Sequence, residues 1–135
     1  MDFNDVVINR INSIQRILAT KAEEYASSKS RFHNFEVGGR KAGTTPEKAL
    51  LGMMMKHSVA VDDLVEWIEE CPHKLTNEII NEKIGDNINY LILLEGMLLN
   101  RAEKIKELNS VPASSRIPSG LDNIMTHLIC LSQST

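Results

Sequence analysis

The chain has 135 residues and a formal net charge of −3, from fifteen Lys and Arg against eighteen Asp and Glu. That length suits one domain, and a composition of 42% hydrophobic and 24% charged residues belongs to a folded core rather than a disordered chain. The weak negative balance excludes the broad basic field of a general nucleic-acid binder, while leaving room for a small phosphorylated ligand held by two or three local bases. Aromatics at 4% fit a helical core of Ile, Leu and Met better than a sheet.

Two cysteines, Cys71 and Cys130, form no metal-ligand cluster. One disulfide is open on count, and two free thiols in a reducing compartment is the plainer reading. The start MDFNDVVINR carries two acids and no basic region before an apolar core, unlike a secretory signal. The greasiest run, YLILLEGMLL, is interrupted by Glu95 and is too short to span a bilayer. A cytoplasmic, non-membrane protein is expected.

Apolar residues recur at helical spacing from about residue 3 to 28, at Phe3, Val7, Ile11, Ile14, Leu18, Ala22 and Tyr25. This predicts a first long helix ending at SSKSR, where serines offer the backbone competing hydrogen bonds. Residues 29–45, with three glycines, two phenylalanines and no clear period, read as a loop with at most a short helical turn at Phe32–Phe35. Two phenylalanines would pin such a loop to the body, as in many binding elements.

A second helix begins at Thr44 or Thr45. Thr44 and Glu47 have capping-box spacing, and Pro46 suits the first turn. Leu51, Met54, Val61, Val65 and Ile68 run down one side, and Cys71-Pro72 stops it. Thr76 caps a third helix to about Leu108, with Leu75 and Ile80 at hydrophobic-staple spacing. Its apolar stripe is Ile80, Ile84, Ile88, Leu91, Leu94 and Leu98. Gly85 and Gly96 inside it cost about 1 kcal/mol each in propensity, a cost that a close helix crossing or a bend would explain. The tail is a Pro/Ser/Gly linker and a short amphipathic segment, Leu121 to Leu131, suited to docking on the body or a neighbouring subunit. The expected architecture is all-α: a bundle of three main helices plus a short C-terminal helix. Residues 1–110 form the domain, and residues 111–135 form the linker and short helix. Long helices from so small a chain leave apolar faces uncovered, so oligomerisation is expected to complete the core.

The stretch EIINEKIGDNINYLILLEG is the most informative. Glu78, Glu82 and Asp86 fall on successive turns of one face and lead into an apolar stripe. Two readings fit: inward carboxylates around a hard cation, or a solvated acidic first turn favoured by the helix dipole. In the first helix, Glu24 lies at the apolar boundary beside Lys21 and Tyr25; it either meets Glu82 and Asp86 across an interface or is an ordinary surface acid. In the second helix, Lys56 and His57 are placed to meet phosphate oxygens, with a core-edge histidine the alternative for His57. Asp63 and Glu66 are rivals to Glu24 for a metal. Arg31 brings a rigid fork for phosphate, and Asn34 a group able to read a base edge or sugar hydroxyl. Phe32 and Phe35 either stack on a base or close the core.

The order K-x-x-E-Y (Lys21–Tyr25), R-F-x-N-F (Arg31–Phe35), Lys56-His57 and E-K-I-G-D-N-I-N-Y (Glu82–Tyr90) resembles the MazG-like, all-alpha nucleoside triphosphate pyrophosphatase superfamily. It is most similar to phage-type members associated with nucleotide modification. The likeness spans about residues 15 to 100, and its last block is the most specific. It implies a helical dimer or tetramer in the (host) cytoplasm, without nucleic-acid or membrane partners. It further implies Mg2+ or Mn2+ held by carboxylates from two helices, and cleavage of a nucleoside triphosphate to the monophosphate and pyrophosphate. Carried onto this chain, the metal ligands are Glu82, Asp86 and Glu24, with Asp63 and Glu66 as alternates. Glu24 or Glu82 takes the proton of the attacking water, Lys21 and Lys56 neutralise the phosphates, and Arg31, Asn34, His57 and Asn89 contact the nucleotide. The acidic pair departs from the common pattern, being four apart here rather than three. The alternative is a helical protein that binds or sequesters a nucleotide without cleaving it, or a phage protein that binds a host partner.

Overall fold

The computed structural model describes residues 2–25 and 30–111, with side chains for all of these except 21–25. Among the described residues the protein is an all-α helical bundle of four helices: α1 (Phe3–Tyr25), α2 (His33–Ala42), α3 (Pro46–Glu70) and α4 (Asn77–Ser110). A single 3₁₀ turn, Pro72–Lys74, joins the last two. No helix among these residues is long and apolar enough to cross a membrane. The chain divides into two compact units, Met1–Asn100 and Arg101–Thr135, and the helix interfaces described here lie in the first. The linker and short helix expected over 111–135 fall outside the described residues, apart from Val111.

The largest departure from the sequence reading is α2. The segment expected to be a loop is a ten-residue helix. Tertiary packing overrides poor intrinsic propensity here. Gly39 is buried, and a Cβ on it would lie 2.9 Å from the Thr44 carbonyl oxygen and 3.0 Å from the Pro46 nitrogen. Gly38 faces the flexible end of the Met53 side chain, which can yield. Gly39, one of the glycines that broke the apolar period, is what lets α2 lie close against the start of α3. Gly43 closes the helix in the left-handed conformation, with φ 63°. Its N–H donates to Arg40 O, and Thr44 N–H donates to Gly39 O at 2.8 Å. That pair of bonds is a Schellman cap, which glycine adopts without a Cβ penalty.

The expected caps of the next two helices are present, with one shift. Thr45, not Thr44, is the N-cap of α3, and its hydroxyl accepts from Lys48 N–H. Pro46 follows at the first helical position, where a missing N–H costs nothing. Thr76 caps α4 by accepting from Ile79 N–H.

The apolar stripes sit differently from the plan. Leu50 and Leu64 are the buried residues of α3, whereas Leu51, Val65 and Ile68 are exposed. On α4 the buried positions are Gly85, Asn89 and Met97, with Leu91 and Leu98 half exposed. The core proper is small: Phe35, Leu50 and Met97, flanked by Phe32, Tyr90, Leu93 and Leu94. The helix rows facing it contain Gly and Asn, so scoring only greasy residues selects a neighbouring row.

Phe3, Val7 and Ile11 of α1 are likewise exposed rather than core. An arginine ties α1 to the first turns of α4. Arg10 Nη2 donates to Asn81 O at 3.1 Å and to Asn81 Oδ1 at 3.3 Å. The guanidinium rests in the space where Gly85 lacks a side chain. Gly96 similarly receives the Phe32 ring, 3.4 Å from where a Cβ would stand. Each of these α4 glycines has a side chain from another segment against it.

Gly39→Ala adds a methyl against backbone atoms that cannot yield, so the gain in helix propensity is outweighed. The expected loss is about 1–3 kcal/mol in denaturant unfolding; unchanged or increased stability would contradict this packing.

Candidate functional site

Helical spacing gathers the site. On α4, Asp86, Asn89, Tyr90 and Leu93 occupy one face at intervals of three and four residues. On α3, Met53 and His57 are one turn apart. Arg31 lies in the turn before α2, and Asn34 and Phe35 in its first turn. Ile17 and Leu18 come from α1. Together these line a pocket of about 280 Å³, near the ~300 Å³ lower end of small-molecule sites.

Three rings build one wall. His57 and Tyr90 lie with centroids 4.9 Å apart and a 35° tilt, and Phe35 meets Tyr90 edge-on at 6.1 Å. His57 Nδ1 faces Asp86 Oδ2 at 3.3 Å, with the imidazole mostly buried and the carboxylate 41% exposed. Asn89 is nine-tenths buried, and its Oδ1 has no hydrogen-bond partner. A buried amide oxygen without a donor is costly, by about 1–3 kcal/mol, so this atom stands out.

The structure brings five residues named from sequence into one pocket: Arg31, Asn34, His57, Asp86 and Asn89. Glu82 is elsewhere. It is exposed and accepts from Lys83 Nζ at 2.8 Å. Lys56 is exposed on α3 and does not line the pocket. Asp63 and Glu66 are exposed on α3, and Glu78 on α4. Lys21 and Glu24 belong to the last turns of α1, and their side chains lie outside the described residues. Cys71 is a half-buried free thiol.

Sequence reasoning did not assign site roles to Tyr90, Met53, Ile17, Leu18 or Leu93. Tyr90 and Leu93 had a usable signal, since they stand four and seven residues after Asp86 on its own face. Phe35 is a core residue, one of the two readings left open for it, and it also lines the pocket.

The resemblance implies carboxylates from two helices around a divalent cation. Among the described residues no three His, Cys, Asp or Glu side chains gather to hold a metal. Asp86 is the one described carboxylate in the pocket lining. The Glu24 side chain, a ligand of the implied centre, lies outside the described residues. No family model, curated protein or solved structure matches the chain.

The Lys83 ammonium, by hydrogen bond first and by charge second, holds the Glu82 carboxyl below the ordinary carboxylate range. Lys83→Gln should let the Glu82 titration midpoint rise towards its ordinary value, read by NMR of the side-chain carboxyl carbon. A midpoint that stays put would contradict the pairing.

Proposed function

We propose that this chain is a nucleotide-binding helical protein whose ligand's base and sugar enter the pocket enclosed by α1, α2, α3 and α4. One observation carries the reading: the rings of Phe35, His57 and Tyr90 and the polar side chains of Arg31, Asn34, Asp86 and Asn89 line one pocket. This lining suits a nucleoside. Phe35, Tyr90 and His57 supply flat surface, Ile17, Leu18 and Leu93 supply apolar contact, and Asn34 suits a sugar hydroxyl. Arg31 is exposed and carries the charge and the fork geometry that phosphate oxygens favour. A pocket of about 280 Å³ is too small for base, sugar and a triphosphate together, and Arg31 is the exposed guanidinium of its lining.

Metal-dependent hydrolysis of a nucleoside triphosphate to monophosphate and pyrophosphate is the second reading. The presence of Asp86 in the pocket favours it, and the outward, Lys83-paired Glu82 favours binding alone. Self-association belongs to either reading. Leu51, Met55 and Val59 on α3, and Leu91 and Leu98 on α4, are each half exposed or more, and a second copy is the cover we assign to them.

Calorimetric titration of the full chain with nucleoside mono- and triphosphates, with and without Mg2+, tests the proposal. Saturable binding is expected, weakened about tenfold by Asn89→Leu, the scale of one lost hydrogen bond to a buried group. Glu82→Gln should leave affinity within about twofold, as expected for an exposed residue. Pyrophosphate release sensitive to Asp86→Asn would instead establish the hydrolytic reading. No binding by any nucleotide would defeat both.

A further inference from the structure

The side of α3 turned away from the core carries a row of residues whose spacing is the same from either end. Lys48, Leu51, Met55, Val59 and Asp62 follow one another at intervals of three, four, four and three residues, so they share one helix face. All five are exposed, and the three apolar members are each half exposed or more. Leu50 and Leu64, the buried residues of the helix, lie on the opposite side. Single exposed apolar residues are ordinary on a monomer, but a contiguous apolar row rimmed by charge marks an interaction surface.

The order of the row selects its occupant. From either end it runs charge, aliphatic, Met55, aliphatic, charge, and the two ends differ in sign. A second α3 laid antiparallel, with a two-fold axis at Met55, sets Lys48 opposite the partner's Asp62 and Leu51 opposite the partner's Val59. The axis repeats both pairs, as a self-complementary interface requires. A parallel second helix would set lysine on lysine and aspartate on aspartate. A helix of uniform charge would satisfy one end only. Intervals of three and four residues are those at which paired helices interdigitate. Gly52, beside Leu51, has nothing within 4 Å of where a Cβ would stand. Its propensity, about 1 kcal/mol below that of alanine, therefore has no packing reason among the described residues, and a helix crossing there would supply one.

We propose that two copies of this chain associate through α3, antiparallel about Met55, with Lys48 and the partner's Asp62 closing both ends of an apolar seam. This rests on the self-association assigned above and goes beyond it by fixing the surface, the direction and the register. It is independent of the nucleotide reading.

The test is sedimentation of the full chain over a range of concentrations, with the two charges exchanged singly and together. The unsubstituted chain is expected to dimerise. Lys48→Glu or Asp62→Lys alone should weaken the dimer about tenfold, because each puts two like-charge pairs where two ion pairs stood. The two exchanges combined should return affinity to within about threefold of the starting value, since opposite charges again meet at both ends. Met55→Glu sets like charges on the axis and should weaken the dimer by about a hundredfold or more, with helical circular dichroism unchanged. A chain that stays monomeric throughout overturns the pairing and the self-association together, and leaves nucleotide binding standing. A dimer indifferent to Met55→Glu, or single losses that add in the combined variant, overturns the α3 pairing and places the second copy on another face.

Discussion

The close approach of α2 to the start of α3 is the constraint on which the site depends. It is possible because Gly39 has no side chain, where a Cβ would press on the Thr44 carbonyl and the Pro46 nitrogen. The Schellman cap at Gly43 and the Thr45 cap then turn the chain directly from one helix into the next. With α2 held there, Phe35 packs with Leu50 and Met97 and meets the edge of Tyr90. Arg31 and Asn34 are carried to the same pocket as Asp86 and Asn89. A flexible loop in place of α2 would leave these side chains without a fixed direction.

The helical class, the starts of α3 and α4, and the stop at Cys71-Pro72 were legible because each rests on local chemistry. Threonine hydroxyls cap, proline suits a first turn, and apolar residues recur with the helical period. The helix at His33–Ala42 was not legible, because its stability comes from contact with α3 and its glycines count against it locally. The apolar stripes of α3 and α4 were displaced for a related reason. The inward rows include Gly85 and Asn89, which a search for greasy residues passes over. The site was legible in part. Asp86, Asn89 and His57 were singled out by type and spacing, and they meet. Glu82 shares the spacing of Asp86 but turns to its neighbour Lys83, a choice between faces that a four-residue interval leaves open.

One carboxylate, one histidine, two amides and one guanidinium line a space walled by rings and aliphatic side chains. Such a lining favours a flat ligand with polar edges. The exposed guanidinium of Arg31 adds attraction for an anion without enclosing it.

The most direct test of the central claim is the side-chain amide of Asn89, followed by NMR as CMP is added to the labelled chain. The account predicts that its NH2 resonances shift in step with those of the Tyr90 and Phe35 rings, while resonances from the exposed Glu82–Lys83 pair stay in place. Shifts confined to other surfaces, or an Asn89 amide that ignores saturating nucleotide, would contradict it.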